Sequence, residues 1–223
     1  MLRFFLSICL LPLLLGACSF DEGFEAYCRA QLNPVDIEVL TEIPTHRVDQ
    51  SLNRAQISDL LTQGGQLVTD NRALAATRAS LEHGVFARHD TLGLRGLACA
   101  RPSVHVKLRL VDPVVYMASE YPVGTCRYDT VYLHEMRHVQ AYEALLRKTA
   151  ATVREQLDAR FPPGYLGRGG SPQELQKDLD EYVEQTLMPG VSRLLSQSHR
   201  LQTAIDSEEE YLRLTLACGH HDS

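Results

Sequence analysis

Two periods alternate along the chain. In its middle, Val104, Val106, Leu108 and Leu110 alternate with His105, Lys107 and Arg109, the period of two that lays one strand face against a core. Val114 to Met117 predicts a second strand behind Asp112-Pro113, and Val35 to Thr41 a third. The period then lengthens. From about Thr130 to about Arg160 the pattern is that of a long helix, with Asp129 as N-cap and Pro162-Pro163-Gly164 as the stop. Ser171, Pro172 and Glu174 make a capping box with proline in the first helical position, opening a helix to Leu187 ahead of Pro189-Gly190. A last helix is expected over about Val191 to Leu216, and a short one over Arg54 to Gln63, closed by Gly64-Gly65. The Ala-rich stretch Asn71 to Glu82 fits either a helix or the start of a long loop. The fold class is α+β: a small sheet packed on one long helix, with further helices towards the C-terminus.

The first 17 residues stand outside this pattern. One early charge, Arg3, precedes an apolar run to Leu15, which is a secretory signal and too short for a stop-transfer helix. It ends in Leu15-Gly16-Ala17-Cys18, which resembles a bacterial lipobox. That resemblance implies lipidation of Cys18, with the membrane as a partner through an N-terminal lipid anchor. Ser19 follows, which implies the outer membrane, facing the periplasm. Residues 18–33 read as a tether carrying a short helix, and 34–223 as a single domain.

Composition narrows the function. Without Arg3 the chain keeps 21 basic and 28 acidic side chains, a formal charge of −7, with no basic stripe. Nucleic acid is therefore not an expected partner. GYLGRGGS, residues 164–171, lacks the GxxxxGKS pattern of a phosphate loop. Besides Cys9 and Cys18 there are Cys28, Cys99, Cys126 and Cys218; an even number in an exported chain predicts two disulfides, in any of three pairings. None forms a CxxC pair, so neither a zinc-thiolate cluster nor a redox motif is expected.

The chemistry concentrates in TVYLHEMRHVQAYEALL, residues 130–146. Residues four apart on a helix lie one above the other, about 40° apart in rotation. His134 and His138 can thus turn one ring nitrogen each toward a single ion, which zinc binds at roughly 2.0–2.1 Å. Glu135 projects beside them, where it can take a proton from water activated by the metal. On the helical wheel both histidines share a face with Val131, Ala141, Tyr142 and Leu145, the inward face. Glu143 and Arg147 lie away from it as a surface pair. Two inward histidines need partners, and a metal ion satisfies both. The remaining histidines, His46, His83, His89, His105 and His199, read as isolated surface residues, and His220-His221 as part of a terminal tail.

A strand region, a turn and a helix carrying His134-Glu135-Met136-Arg137-His138 resemble the zincin metallopeptidase superfamily. More loosely, Cys99 before the strand and Cys126 before an HExxHxxxxE helix resemble an uncharacterised family of predicted secreted zinc-dependent proteases, over about residues 35–190. The resemblance implies a Zn2+ cofactor, a peptide or protein substrate, His134 and His138 as ligands and Glu135 as general base. It also implies an edge strand that holds substrate beside the helix, for which Val104 to Val111 or Val114 to Met117 are the candidates. The HExxHxxGxxH continuation is absent, because Ala141 and Tyr142 follow and Ala144 stands six beyond His138. A third ligand is then expected on the helix from Ser171 to Leu187. Glu181 comes first by family-like placement, with Glu184 or Glu174 as alternatives; Glu174 is already used by the capping box. Asp178 borders the apolar face of that helix and is a candidate for orienting a histidine, and Tyr165 and Tyr182 are candidate oxyanion donors.

The leading expectation is an envelope-anchored peptidase that hydrolyses peptide bonds through a zinc-bound water, with Glu135 as base. The alternative is a catalytically inactive zincin-like binding or scaffold lipoprotein, the outcome if the third ligand is missing.

Overall fold

The computed structural model of the chain describes residues 12–63 and 73–218, with side chains from residue 22 onward. The Cys18 side chain, Gly64-Gly65, Asn71 and His220-His221 lie outside the described residues. The fold is mixed α/β, a small open five-stranded sheet with one long helix and several shorter ones.

The sheet is built on a hairpin. Strands β3 (Ala75–Leu94) and β4 (Leu97–Met117) meet at Arg95-Gly96. Both turn residues have positive φ, 50° and 80°, which matches the twist of the flanking strands. β3 corrects the expectation of a helix or loop at 71–82. Thr77, Ala79, Leu81, His83 and Val85 are half-buried, while Arg78, Ser80, Glu82 and Gly84 between them are exposed. Alanine, threonine and histidine carry so little apolar contrast that this period of two does not stand out in the sequence. β4 merges the two strands expected at 104–111 and 114–117. Asp112, at φ 46°, bends the strand without ending it.

The remaining strands are β1 (Asp36–Glu42), β2 (Arg47–Asp49) and β5 (Gly167–Gly169). Each, like β3, is hydrogen-bonded to β4. β2 runs parallel to it with Val48 opposite Val115, and β5 antiparallel with Cys99 opposite Arg168. β4, the candidate for the substrate-holding edge, is therefore the shared strand rather than an edge. Among the described residues β3 is bonded to β4 alone.

The long helix α3 (Cys126–Arg160) ends where expected but begins about four residues early, so Asp129 lies in its first turn, and Thr125, whose hydroxyl accepts the Tyr128 amide, stands at the N-cap instead. α2 (Arg54–Gln63) and α4 (Pro172–Tyr182) also stand where expected, and the Ser171 hydroxyl accepts the Glu174 amide in the predicted cap. Pro189 does not stop the chain of helices. A π-turn at Val183–Leu187 leads directly into α5 (Met188–Leu195), with the proline in its first turn. The single helix expected over 191–216 is instead the end of α5, α6 (Ser198–Ile205) and α7 (Glu208–Leu216). The last break is a capped one, because Ser207 accepts a hydrogen bond from the Glu210 amide.

The described chain forms two compact units, each assembled from three separate stretches. Because neither unit is continuous, no linker marks them in the sequence. The first comprises the described residues up to Ile37, Phe86–His105 and Leu157–Thr186. In it the segment expected as a tether is helical, as α1 (Pro12–Gln31), and from Phe24 on it is packed. Phe24, Cys28 and Leu32 are buried against Cys99, and the Cys28–Cys99 disulfide fixes α1 to β4. The second unit comprises Glu38–Val85, Val106–Gln156 and the described residues from Leu187. Its core sets Val131 and Val139 of α3 against Ala75, Val115 and Met117 of the hairpin, so one face of the long helix lies on the sheet. Its disulfide joins Cys126, at the start of α3, to Cys218, just beyond α7.

Candidate metal centre

His134 and His138 occupy successive turns of α3 and are buried, 4% and 6% exposed. Glu135 between them is equally buried, at 5%. Glu143 lies outside the cluster, on the helix surface in an ion pair with Arg147 at 2.9 Å. The loop between α6 and α7 brings Asp206 to the histidines. Asp206 Oδ1 lies 3.2 Å from His134 Nε2 and 3.0 Å from His138 Nε2, and the two Nε2 atoms are 3.2 Å apart. Among the described residues these three form the one group able to hold a metal ion.

The outer nitrogens are fixed as well. His134 Nδ1 donates to Glu210 Oε1 at 3.1 Å, and His138 Nδ1 donates to Gln202 Oε1 at 2.6 Å. Gln202 Nε2 in turn donates to the His138 carbonyl, which sets the direction of its amide. With both Nδ1 atoms donating, a neutral imidazole keeps its lone pair on Nε2, the atom that faces the cluster. Two lone pairs and a carboxylate oxygen therefore converge on one point. Three tetrahedral ligands at zinc distances stand about 3.3 Å apart, and the three edges here measure 3.0–3.2 Å. The donor set fits a divalent ion.

Charge is arranged to suit. Burial pushes the Asp206 carboxyl up, but the hydrogen bonds and positive charge of His134 and His138 outweigh it and bring Asp206 to about 2. Burial lowers His138, but the bonds to Asp206 and Gln202 and the negative charges of Glu135 and Asp206 together outweigh it, so His138 is held above the usual range. Glu210 sits at about 2, held there first by Arg213 and further by His134 and Arg137. Arg213 grips both Glu210 oxygens, at 2.9 and 2.7 Å, and Arg137 reaches Oε1 at 2.5 Å. A carboxylate so clamped stays ionised and presents one fixed acceptor to His134.

Glu135 is not a member of the triangle. Thr77 of β3 donates to its Oε2 at 2.8 Å, which holds the carboxylate beside the histidines. Burial pushes this carboxyl above the ordinary range, against the nearby charge of His138 and the Thr77 bond. The Tyr211 hydroxyl is pushed up to about 12, first by burial and then by the negative charges of Asp206 and Glu135. It remains a neutral donor at physiological pH.

None of the third ligands expected on the 171–187 helix belongs to the group formed with His134 and His138. Glu181 is exposed and pairs with Lys177 one turn away. Glu174 Oε2 accepts the Gly170 amide, closing the cap of α4. Glu184 is exposed on the π-turn. All three belong to the first unit, whereas His134, His138 and Asp206 belong to the second. Asp178, Tyr165 and Tyr182 line a small pocket of about 90 Å³ around His89, also in the first unit. Thr77, Gln202, Asp206, Glu210 and Tyr211 were not singled out from the sequence. One signal for three of them was present: Ser207-x-x-Glu210 is a capping box, and its break would have set Asp206 at a helix end with Gln202 one turn before it.

Comparison of the chain with family models, with curated proteins and with solved structures finds no match.

Proposed function

We propose that this chain is a zinc-dependent peptidase, with His134, His138 and Asp206 holding the ion and Glu135 serving as general base. One observation carries the reading: two imidazoles and a carboxylate converge on a point, while a second carboxylate, Glu135, is held beside them by Thr77 and left out of the set. A divalent ion there would supply Lewis acidity, making water acidic near neutral pH and polarising a carbonyl. Glu135 takes the proton from the attacking water and passes it to the leaving amine. Gln202 and Glu210 keep both imidazoles in the ligating tautomer and orientation. Two histidines and one carboxylate also suit non-haem iron. Glu135 favours hydrolysis, because a buried carboxylate held beside the ion without ligating it is placed to serve as general base. The alternative is a catalytically inactive zincin-like binding or scaffold lipoprotein; Asp206, as a candidate third ligand, supports the peptidase over it.

Export and lipid attachment at Cys18 belong to the same proposal, supported by the signal segment and by two disulfides, which suit an oxidising compartment. Among the described residues no helix is long and apolar enough to cross a membrane.

The test is metal content and cleavage together. The chain from Ser19 onward is expected to carry about one zinc per molecule, kept in Glu135→Gln and lost in Asp206→Ala. An unfolded protein substrate should be cut by the wild type and not by Glu135→Gln. A well-folded wild type that binds no zinc would sink the proposal. Globomycin should block processing at Cys18.

A further inference from the structure

Three elements carry the candidate metal centre, and each continues past it in the same pattern. On α3 the stripe His134, His138 reaches Tyr142 one turn on. On α6 the series Asp206, Gln202 reaches Ser198 one turn back. On β3 the half-buried face that holds Thr77 continues through Ala79, Leu81 and His83. Tyr142, Ser198, Ala79, Leu81 and His83 all line one open pocket of about 340 Å³, closed by Ser192, Leu195 and Ser196 at the end of α5. A helical turn rises about 5.4 Å, so the pocket opens one turn along α3 from His138. Every lining residue belongs to the second unit, with the centre itself.

We propose that this pocket receives an aromatic side chain, phenylalanine or tyrosine, of an extended peptide lying along β3. The inference rests on the peptidase reading for its role beside the cleaved bond, but the pocket's selectivity follows from its lining. Apart from His83 no lining residue can carry a charge at neutral pH, so a basic side chain would lack a counter-charge and an acidic one would find a single imidazole at most. A volume of about 340 Å³ is far more than a small aliphatic side chain fills. Ala79, Leu81 and Leu195 offer apolar contact, and the Tyr142 ring can take an aromatic edge or face. Ser192, Ser196, Ser198 and His83 supply polar groups that suit a phenol as well as a plain ring, with Ser192 already 3.4 Å from His83 and Ser196 donating to the Arg193 carbonyl. β3 contributes the extended partner: bonded to β4 alone among the described residues, it can add a peptide strand, whose alternate side chains then fall on one face.

The test uses binding first. Zinc-loaded and metal-free Glu135→Gln are titrated with acetyl-Gly-Gly-Phe-Gly-Gly-amide and with its Ala and Asp counterparts. The Phe peptide should bind more tightly than the Ala peptide by roughly tenfold or more, and the Asp peptide more weakly than either. Ala79→Phe fills the pocket from its floor and Ser192→Trp from its exposed rim; each should erase the preference for Phe. Ser192→Trp disturbs no core, so it decides the matter where Ala79→Phe fails to fold, as judged by circular dichroism. Equal affinity for the Phe and Ala peptides, or a preference that survives Ser192→Trp, overturns the proposal. Cleavage-site mapping on an unfolded substrate then separates the two readings. Cuts by the wild type with no aromatic residue at a fixed position overturn the pocket and leave the peptidase standing. A preference for Phe in binding, with no cleavage by the wild type, does the reverse.

Discussion

Gln202 and Glu210 touch no reacting atom, yet each fixes one imidazole by accepting its Nδ1–H. Gln202→Leu leaves that donor buried and unpaired and frees the ring to turn. Zinc affinity is expected to fall roughly 10–100-fold, as for outer partners of metal ligands generally. Asp206→Ala removes a ligand and should cost more than Gln202→Leu in the same competition titration against a fluorescent chelator. The reverse order would deny Asp206 its place in the set. Thr77→Val is a different probe, because it takes one hydroxyl from Glu135 and nothing from the ligands. It should leave zinc affinity unchanged and lower kcat, by up to about 10²-fold if the base is mispositioned. A parallel loss of zinc would mean that Thr77 supports the whole centre. At this scale the sequence was half legible. His134, Glu135 and His138 lie within five consecutive positions of one helix, so their spacing carries the information. Asp206 is fixed by nothing local; a turn between two helices delivers it, and no periodicity reports a turn's destination.

Among the elements, α7 is the one most dependent on a cross-link. It is short, it carries Glu210, and it is tied to α3 by the Cys126–Cys218 disulfide and by Arg127, whose guanidinium donates to the Leu214 carbonyl at 2.6 Å. The Cys28–Cys99 bridge holds α1 and lies in the other unit. The two should therefore separate on mutation. Either double Cys→Ser variant is expected to lose stability, by roughly 2–5 kcal/mol. Only the Cys126/Cys218 pair should also weaken zinc, because only it releases the helix that orients His134. Equal zinc affinity in both variants would show that α7 holds its place by packing alone. Element types were legible where contrast was strong, as in the alternation of Val104 to Leu110, the proline stop after α3 and the cap of α4. β3 was missed because Thr77, Ala79 and His83 bury without being strongly apolar. The α6–α7 break was missed because no glycine or proline marks it and its one signal is the Ser207-x-x-Glu210 capping box.

For the whole molecule, the division into two units makes the effect of metal removal local. An ion bound only by the native state adds stability by mass action, about 2.7 kcal/mol when free metal is at 100 times its Kd. For a chain of this size that corresponds to roughly 5–10 °C in Tm. All three ligands, both groups that orient the imidazoles and the Glu135–Thr77 pair lie in the second unit. The first has its own apolar clusters and its own disulfide. Chelation should therefore loosen the second unit selectively. Hydrogen exchange is expected to quicken in α6, α7 and the N-terminal half of α3, while α4 and Phe86–His105 keep their protection. Zinc should restore the original pattern in the wild type and not in Asp206→Ala. Protection lost evenly from both units would mean that the ion's stabilisation is not confined to the unit that binds it. Protection lost from α4 alone would return the third ligand to the helix where the sequence first placed it.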